Sequence, residues 1–253
     1  MAHAVLTREI DPRSAYTTVL VECGLTPVAM PVTRTEPPRD PGALGRALDA
    51  GDHAAIIVAS ARAAEALAHA IAHRATRAPL PLPEVWAVGP ATLHALATAG
   101  IHAVHPAGAH DGATLARALL AQRTLGGRRV LVPRAEHGRD DAIHILRGAG
   151  AEIDDIVAYR TMPVPPDDPT IAEGRALLVG GQAAVCLVFA PSQVAALIGI
   201  LGPLTALTTR FLAIGDTTAA VLREAGVADV AVATAPTPEG VANAIAAVYP
   251  PRP

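Results

Sequence analysis

Aromatic residues are scarce in this chain, with two Phe, three Tyr and one Trp among 253 residues. Its core must therefore be built from Ala, Val, Leu and Ile. Cysteine is just as sparse: Cys23 and Cys186 are the only two, too few for a disulfide framework or a zinc site, and both read as small core residues. Positive charge is not in excess, since 20 Lys and Arg face 23 Asp and Glu for a formal net charge of −3. That balance excludes a nucleic-acid or membrane-surface binder held by a global basic field. An anionic ligand would have to be met by local donors. The opening Met-Ala-His-Ala-Val-Leu-Thr-Arg lacks the basic lead and apolar run of a secretory signal, which points to the cytoplasm.

Several motifs are missing too. No G-x-G-x-x-G follows a strand, no phosphate loop ends in Gly-Lys-Ser/Thr, and no G-x-S-x-G elbow occurs. A transferase acting on a nucleotide or sugar phosphate is weakened accordingly. Between Arg175 and Arg210 there is no charged residue, long enough to suggest a membrane span. Gly180-Gly181-Gln182, Pro191-Ser192-Gln193 and Gly202-Pro203 cut this window into strand and helix lengths, so a buried strand followed by a buried helix is expected. His69 and His73 lack the glutamate of a zinc-protease helix, and His102, His105 and His110 cluster near a loop; no metal site is expected at either place. The pairs Asp140-Asp141, Asp154-Asp155 and Asp167-Asp168 read as caps and solvated turns.

What is present is a rhythm of strand and helix. Apolar runs of strand length occupy Ala4 to Thr7, Ala54 to Ala59, Val85 to Val88, Arg129 to Val132, Val185 to Ala190 and Phe211 to Ile214, most followed by an amphipathic segment. Asp11-Pro12, Asp40-Pro41, Asp168-Pro169 and Thr237-Pro238 each place a capping side chain before a proline, where a helix loses nothing by the missing N–H. Such alternation predicts parallel sheets covered on both faces.

The chain also resembles itself. Shifted by 126 positions, Arg8 to Pro37 lies over Arg134 to Pro163 without a gap, matching Leu20 with Leu146 and Gly24 with Gly150. The same shift sets Ala87-Val88-Gly89-Pro90-Ala91-Thr92 on Ala213-Ile214-Gly215-Asp216-Thr217-Thr218. A slightly different shift sets Val58-Ala59-Ser60 on Ala190-Pro191-Ser192. Two similar lobes are predicted. Thr26 to Pro38 and Ile153 to Pro166 are extended, proline-punctuated stretches that read as two connectors between them.

Ser60, Gly89 to Thr92, Ser192 and Gly215 to Thr218 stand where strands hand over to helices. Such turns gather at the carboxyl edge of a parallel sheet, where ligands bind. Helix N-termini there favour carboxylate or phosphate by about 0.3–1 kcal/mol each. Capping alone would explain any one of these residues; two matched sets predict an anion-binding cleft between the lobes. Arg8 and Arg134, each just after a strand, would add fixed positive charge. Symmetry breaks at Tyr159, where the first repeat has Thr33, and its hydroxyl can donate a proton or a hydrogen bond.

These residues together resemble the uroporphyrinogen-III synthase family. The resemblance rests on Val5-Leu6-Thr7-Arg8, Ile57-Val58-Ala59-Ser60-Ala61-Arg62, Ala87-Val88-Gly89-Pro90-Ala91-Thr92, Val157-Ala158-Tyr159, Phe189-Ala190-Pro191-Ser192, Ala213-Ile214-Gly215-Asp216-Thr217-Thr218-Ala219 and Ala235-Pro236-Thr237-Pro238-Glu239-Gly240. Their order and spacing, rather than any single piece, carry it.

The resemblance implies an α/β fold of two doubly wound parallel-sheet lobes joined by a two-stranded β-ladder. Lobe one is then discontinuous, residues 1–36 and 164–253, and lobe two is 37–163, with connectors near 26–38 and 153–166. It implies a lyase that closes linear hydroxymethylbilane to uroporphyrinogen III, with loss of water and inversion of ring D through a spiro intermediate. Neither cofactor nor metal is implied. Tyr159 matches the family's linker tyrosine and is the expected catalytic residue. Arg8, Ser60, Arg62, Gly89, Thr92, Arg134, Ser192, Gly215, Thr217 and Thr218 are the expected substrate-binding set. Ala59 and Ala190 depart from the common pattern, where many members carry a hydroxyl. The expected partner is hydroxymethylbilane, with transient contact to the preceding deaminase, no nucleic acid, no membrane and a monomeric state. The other reading is a non-catalytic two-lobed binding protein for a small polyanion.

Overall fold

The computed structural model describes residues 2–73 and 82–249. Met1, residues 74–81 and residues 250–253, the last belonging to the expected end of lobe one, lie outside the described residues. In chain order the first elements are β1 (Ala2–Leu6), α1 (Ala15–Glu22), β2 (Leu25–Ala29), β3 (Thr33–Glu36), α2 (Ala43–Ala50), β4 (His53–Val58) and α3 (Ala61–His73). Next come β5 (Glu84–Ala87), α4 (Pro90–Thr98), β6 (Ala103–Val104), α5 (Gly112–Gln122), β7 (Arg129–Ala135), α6 (Asp141–Gly148) and β8 (Glu152–Pro163). The chain finishes with α7 (Ala172–Val179), β9 (Ala183–Val188), α8 (Pro191–Leu201), β10 (Arg210–Ala213), α9 (Asp216–Glu224), β11 (Val230–Val232) and α10 (Pro238–Val248). All six apolar runs form strands. The charge-free window becomes β9 and α8, and among the described residues no helix is long and apolar enough to cross a membrane.

Two compact units result: unit 1 is Met1–Arg34 with Met162–Pro253, and unit 2 is Thr35–Thr161. The sheet of unit 1 has the order β11-β10-β9-β1-β2, and the second sheet runs β3-β8-β7-β4-β5-β6. Once β3 is set aside, the two orders are the same. β3 and β8, in which the chain passes from one unit to the other, lie side by side as a two-stranded ladder.

The likeness extends to register. Leu6 stands opposite Ala29 and Val5 opposite Cys186; in unit 2, Val132 stands opposite Asp155 and Leu131 opposite Ile56. Even the irregularity recurs: β9 carries Ala184 as an extra residue against β1, and β4 carries Ala54 against β7. The helices α5 and α10 begin 126 positions apart, at Gly112 and Pro238.

Alternation along the strands explains both cores, since successive side chains of a strand point to opposite faces. In unit 1, Val5, Cys186 and Phe211 pack on one face while Ala4, Leu6, Val185, Leu187 and Leu212 pack on the other. In unit 2, Ile57, Trp86 and Val132 face one way, and Ile56, Val58, Val85 and Leu131 the other. Both faces are apolar because helices cover both.

Helix starts follow the sequence less closely. Of the four Asp/Thr-Pro signals, only Thr237 is the N-cap of an α-helix, accepting from Gly240 N at 3.2 Å. Asp11 and Asp40 instead accept from the backbone two residues on, closing turns just before α1 and α2, and Asp168 does the same in a short 3-10 turn. Asp side chains favour this local turn, which displaces the helix start by a few residues. Ser14 caps α1 in place of Asp11. Asp154 and Asp155 also differ from expectation, because they are strand residues of β8, not caps or solvated turns. Asp154 accepts from His53 Nε2 at 2.7 Å and pairs with Arg129, while Asp155 pairs with Arg134.

Candidate active site

In unit 2 the carboxyl ends of β4, β7 and β8 surround a cleft of about 300 Å³ lined by Ser60, His110, Gly112, Arg134, Arg139 and Tyr159. Ser60 sits in the turn from β4 into α3, where its Oγ accepts from Ala63 N at 3.2 Å and caps the helix. Tyr159 is aimed by a β-bulge. Arg134 pairs with Val157 but Ala135 pairs with Tyr159, leaving Ala158 as the extra residue. Bulges of this kind re-aim a side chain. Tyr159 Oη then lies 3.3 Å from Ser60 Oγ, and either oxygen can donate.

Charge around this cleft is already committed. Arg134 donates through Nε and Nη2 to the two oxygens of Asp155, at 2.6 and 2.8 Å, and through Nη1 to Gly138 O. It also pairs with Asp140 at 2.9 Å. The Asp155 hydrogen bonds raise its pKa above the ordinary arginine value. Arg134 therefore lines the cleft with its donors occupied. At the start of α5, Asp111 accepts from Thr114 N at 2.8 Å while its own N–H donates to Thr114 Oγ1. Those Thr114 contacts lower the Asp111 pKa and fix a carboxylate at a helix end that could otherwise take an anion. This cleft thus offers a hydroxyl pair, and the charge of Arg134 in its wall is already paired.

The remaining expected residues of unit 2 are not part of this lining. Arg62 is exposed on the first turn of α3. Gly89 forms the turn into α4 at φ 81°, a conformation that favours glycine. Its counterpart Gly215 is extended at φ −178°, open to any residue. Thr92 and Thr218 are the third residues of α4 and α9, only 4 % and 3 % exposed, while Thr217 is exposed.

Ser192 needs a correction. It is the second residue of α8 and exposed, and the N-cap of that helix is Ala190, which has no side-chain capping bond. Strand register places Ala190, not Ser192, at the position of Ser60. The two serines share a residue type but not a structural place.

Unit 1 also holds a buried polar tie that sequence alone did not single out. Gln193 is buried, donates through Nε2 to Thr7 O at 3.0 Å, accepts through Oε1 from Phe189 N at 2.8 Å and lies 2.6 Å from Thr7 Oγ1. It ties the end of β1 to the end of β9. Arg8 lies beside this tie, its Cζ 3.8 Å from the centroid of Phe189 and 4.7 Å from that of Tyr16. Burial lowers its pKa from the ordinary arginine value while Tyr16 acts in the opposite sense, and arginine stays charged at neutral pH. A lone Gln in the first turn of an apolar helix was the one available signal for the tie.

Among the described residues no group of three His, Cys, Asp or Glu side chains forms a metal site. The class is defined by the fold and the placing of its polar groups: two doubly wound parallel α/β units whose polar residues collect at the carboxyl edges of their sheets, where open sheets take ligands. Two solved structures share that fold. A mutant uroporphyrinogen III synthase from Thermus thermophilus is 22% identical over 96% of this chain and 99% of its own, with a TM-score of 0.59. Uroporphyrinogen-III synthetase from Helicobacter pylori is 18% identical over 95% of this chain and 96% of its own, with a TM-score of 0.63. No curated protein matches the chain. Residues 14–243 match the family model described as uroporphyrinogen-III synthase HemD. The chain belongs to that family.

Proposed function

We propose that this chain performs its family's reaction, closing hydroxymethylbilane to uroporphyrinogen III with loss of water and inversion of ring D. The match of residues 14–243 to the family carries the reading. The hydroxyl pair of Ser60 and Tyr159, 3.3 Å apart, supports the chemical step. The ring A pyrrole expels its hydroxymethyl oxygen, which leaves as water with a proton from Tyr159. Ring D then attacks the methylene through its substituted carbon, giving the spiro intermediate; the bond from that carbon to the methylene shared with ring C breaks, and the freed methylene bonds to the unsubstituted carbon on the other side of the ring D nitrogen. The proton lost when the inverted ring regains aromaticity restores the tyrosine. Ser60 holds the phenol for that transfer.

The substrate carries eight carboxylates, and unassisted closure gives the uninverted isomer. Each tenfold preference for inversion requires about 1.4 kcal/mol of differential transition-state binding, supplied by holding the chain bent. Arg8, Arg62, Gly89, Thr92, Ser192, Gly215, Thr217 and Thr218, together with the nearby backbone amides, are the proposed carboxylate donors. Arg134 shapes the cleft wall.

The protein acts as a cytoplasmic monomer that takes its unstable substrate from the preceding deaminase. Its two units descend from one duplicated ancestor, a reading supported by their common strand order and register. The test is to mix the protein with freshly made hydroxymethylbilane, oxidise the products and resolve the isomers. Isomer III above background is expected; isomer I alone would reject the proposal.

A further inference from the structure

Two arginines hold the same place in two alike sheets and meet opposite surroundings. Arg8 follows β1 and Arg134 ends β7, and the shared register makes them equivalent. Around Arg134 stand the carboxylates of Asp155 and Asp140. The positions in unit 1 that correspond to these, 126 residues earlier, are Ala29 and Ser14, and neither ionises. Where unit 2 has Ala142 and Ala59, unit 1 has Tyr16 and Phe189 by the same helix and strand registers. The chain holds six aromatic residues, from two Phe, three Tyr and one Trp, so placing two of them around one guanidinium is not a product of composition.

The cradle is fixed on both sides. The two rings lie 5.7 Å apart at 82°. Tyr16 Oη donates to Pro236 O at 2.8 Å, and Gln193 holds the Phe189 backbone. Among the described residues no carboxylate or carbonyl pairs with the Arg8 guanidinium. With the rings at 82° the planar guanidinium can lie flat on only one of them; stacked on the nearer, Phe189, it keeps an in-plane N–H edge for a carboxylate, which such an edge takes through two parallel hydrogen bonds.

We infer that Arg8 is the charged anchor for a substrate carboxylate, and that Tyr16 and Phe189 are positioning residues that keep its guanidinium oriented and unpaired. This rests on the proposed function for the identity of the polycarboxylate, and it adds an oriented charge in unit 1 to the hydroxyl pair of unit 2.

The test measures kcat and KM on hydroxymethylbilane, and separately Kd for uroporphyrin III, the stable oxidised product, by porphyrin fluorescence. Arg8→Gln should raise KM and Kd by about tenfold or more, the size expected of a lost hydrogen bond to a charged group. Phe189→Leu should raise both by about threefold to tenfold, with kcat within twofold, and Phe189→Trp should restore them because it keeps the ring face. Arg8→Lys should fall between, since an ammonium has no fork.

Wild-type KM and Kd in Arg8→Gln would overturn the inference, as would a lowered melting temperature with both constants unchanged. Failure of Phe189→Trp to rescue Phe189→Leu would remove the positioning role. If the wild type makes only isomer I yet Arg8→Gln still weakens uroporphyrin III binding, the anchor stands and the proposed reaction falls.

Discussion

Tyr159→Phe separates a proton donor from a packing residue. The ring of Tyr159 packs against the apolar cluster that includes Leu44, Ile56 and Val58, and Phe keeps that ring. Only the hydroxyl is lost, and with it the 3.3 Å contact to Ser60, long for an O–H···O bond, whose usual length is about 2.7–2.8 Å. A half-buried hydrogen bond of that length contributes about 0.5–1 kcal/mol to stability. A melting shift of only about 1–4 °C is then expected for a chain of this size.

Chemistry should suffer far more. Removing a positioned general acid costs about 10²–10⁴ in rate, equal to about 2.7–5.4 kcal/mol of barrier. Since folded proteins hold about 5–15 kcal/mol in reserve, the small stability loss leaves the variant folded and cannot imitate the rate loss. The assay follows single-turnover formation of uroporphyrinogen III from fresh hydroxymethylbilane, with thermal melting alongside. Ser60→Ala should show the reverse balance, losing about 1 kcal/mol of helix capping with a smaller fall in rate. A Tyr159→Phe protein that keeps wild-type kcat would refute the proton-transfer argument.

Asp155→Asn should destabilise unit 2 by about 1–3 kcal/mol in denaturant unfolding, because the partly exposed Arg134 loses its main partner; an unchanged midpoint would show that the pair holds nothing. Gly89→Ala should cost about 1–3 kcal/mol because the backbone there is at φ 81° and ψ 145°, a region side chains rarely adopt. By contrast Gly215→Ala, at φ −178° with no neighbouring atom within 4 Å of the place its Cβ would take, should leave the melting temperature unchanged. Equal effects at the two glycines would contradict the backbone argument. Burial pushes the Cys186 thiol up to about 12, so iodoacetamide at about pH 8 should label Cys23 and spare Cys186 until the protein unfolds; mass spectrometry showing native labelling of Cys186 would refute its burial.

How far the fold was legible follows from what writes each element. The six central strands are continuous apolar runs because helices cover both faces of their sheets, and such runs survive in sequence. The edge strands Ala103–Val104 and Val230–Val232 are two and three residues long, too short to show a period. The paired serines misled because matching by residue type favoured a shift of 132, whereas strand pairing sets the offset there at 130 and puts Ala190 opposite Ser60. Tyr159 could be singled out, since it breaks a repeated pattern. Its aim could not, because a bulge at Ala158 is a property of pairing with β7.

The two arginines show why position alone does not assign a binding role. Repeat matching placed Arg8 and Arg134 at equivalent edges and gave both the same task. Whether a guanidinium can take a ligand depends on what already holds it, and those groups lie far off in sequence: Asp155 is 21 residues from Arg134, and Phe189 comes to Arg8 from the end of the distant strand β9. Two carboxylates close one arginine to further partners, while two rings orient the other and leave its charge uncompensated.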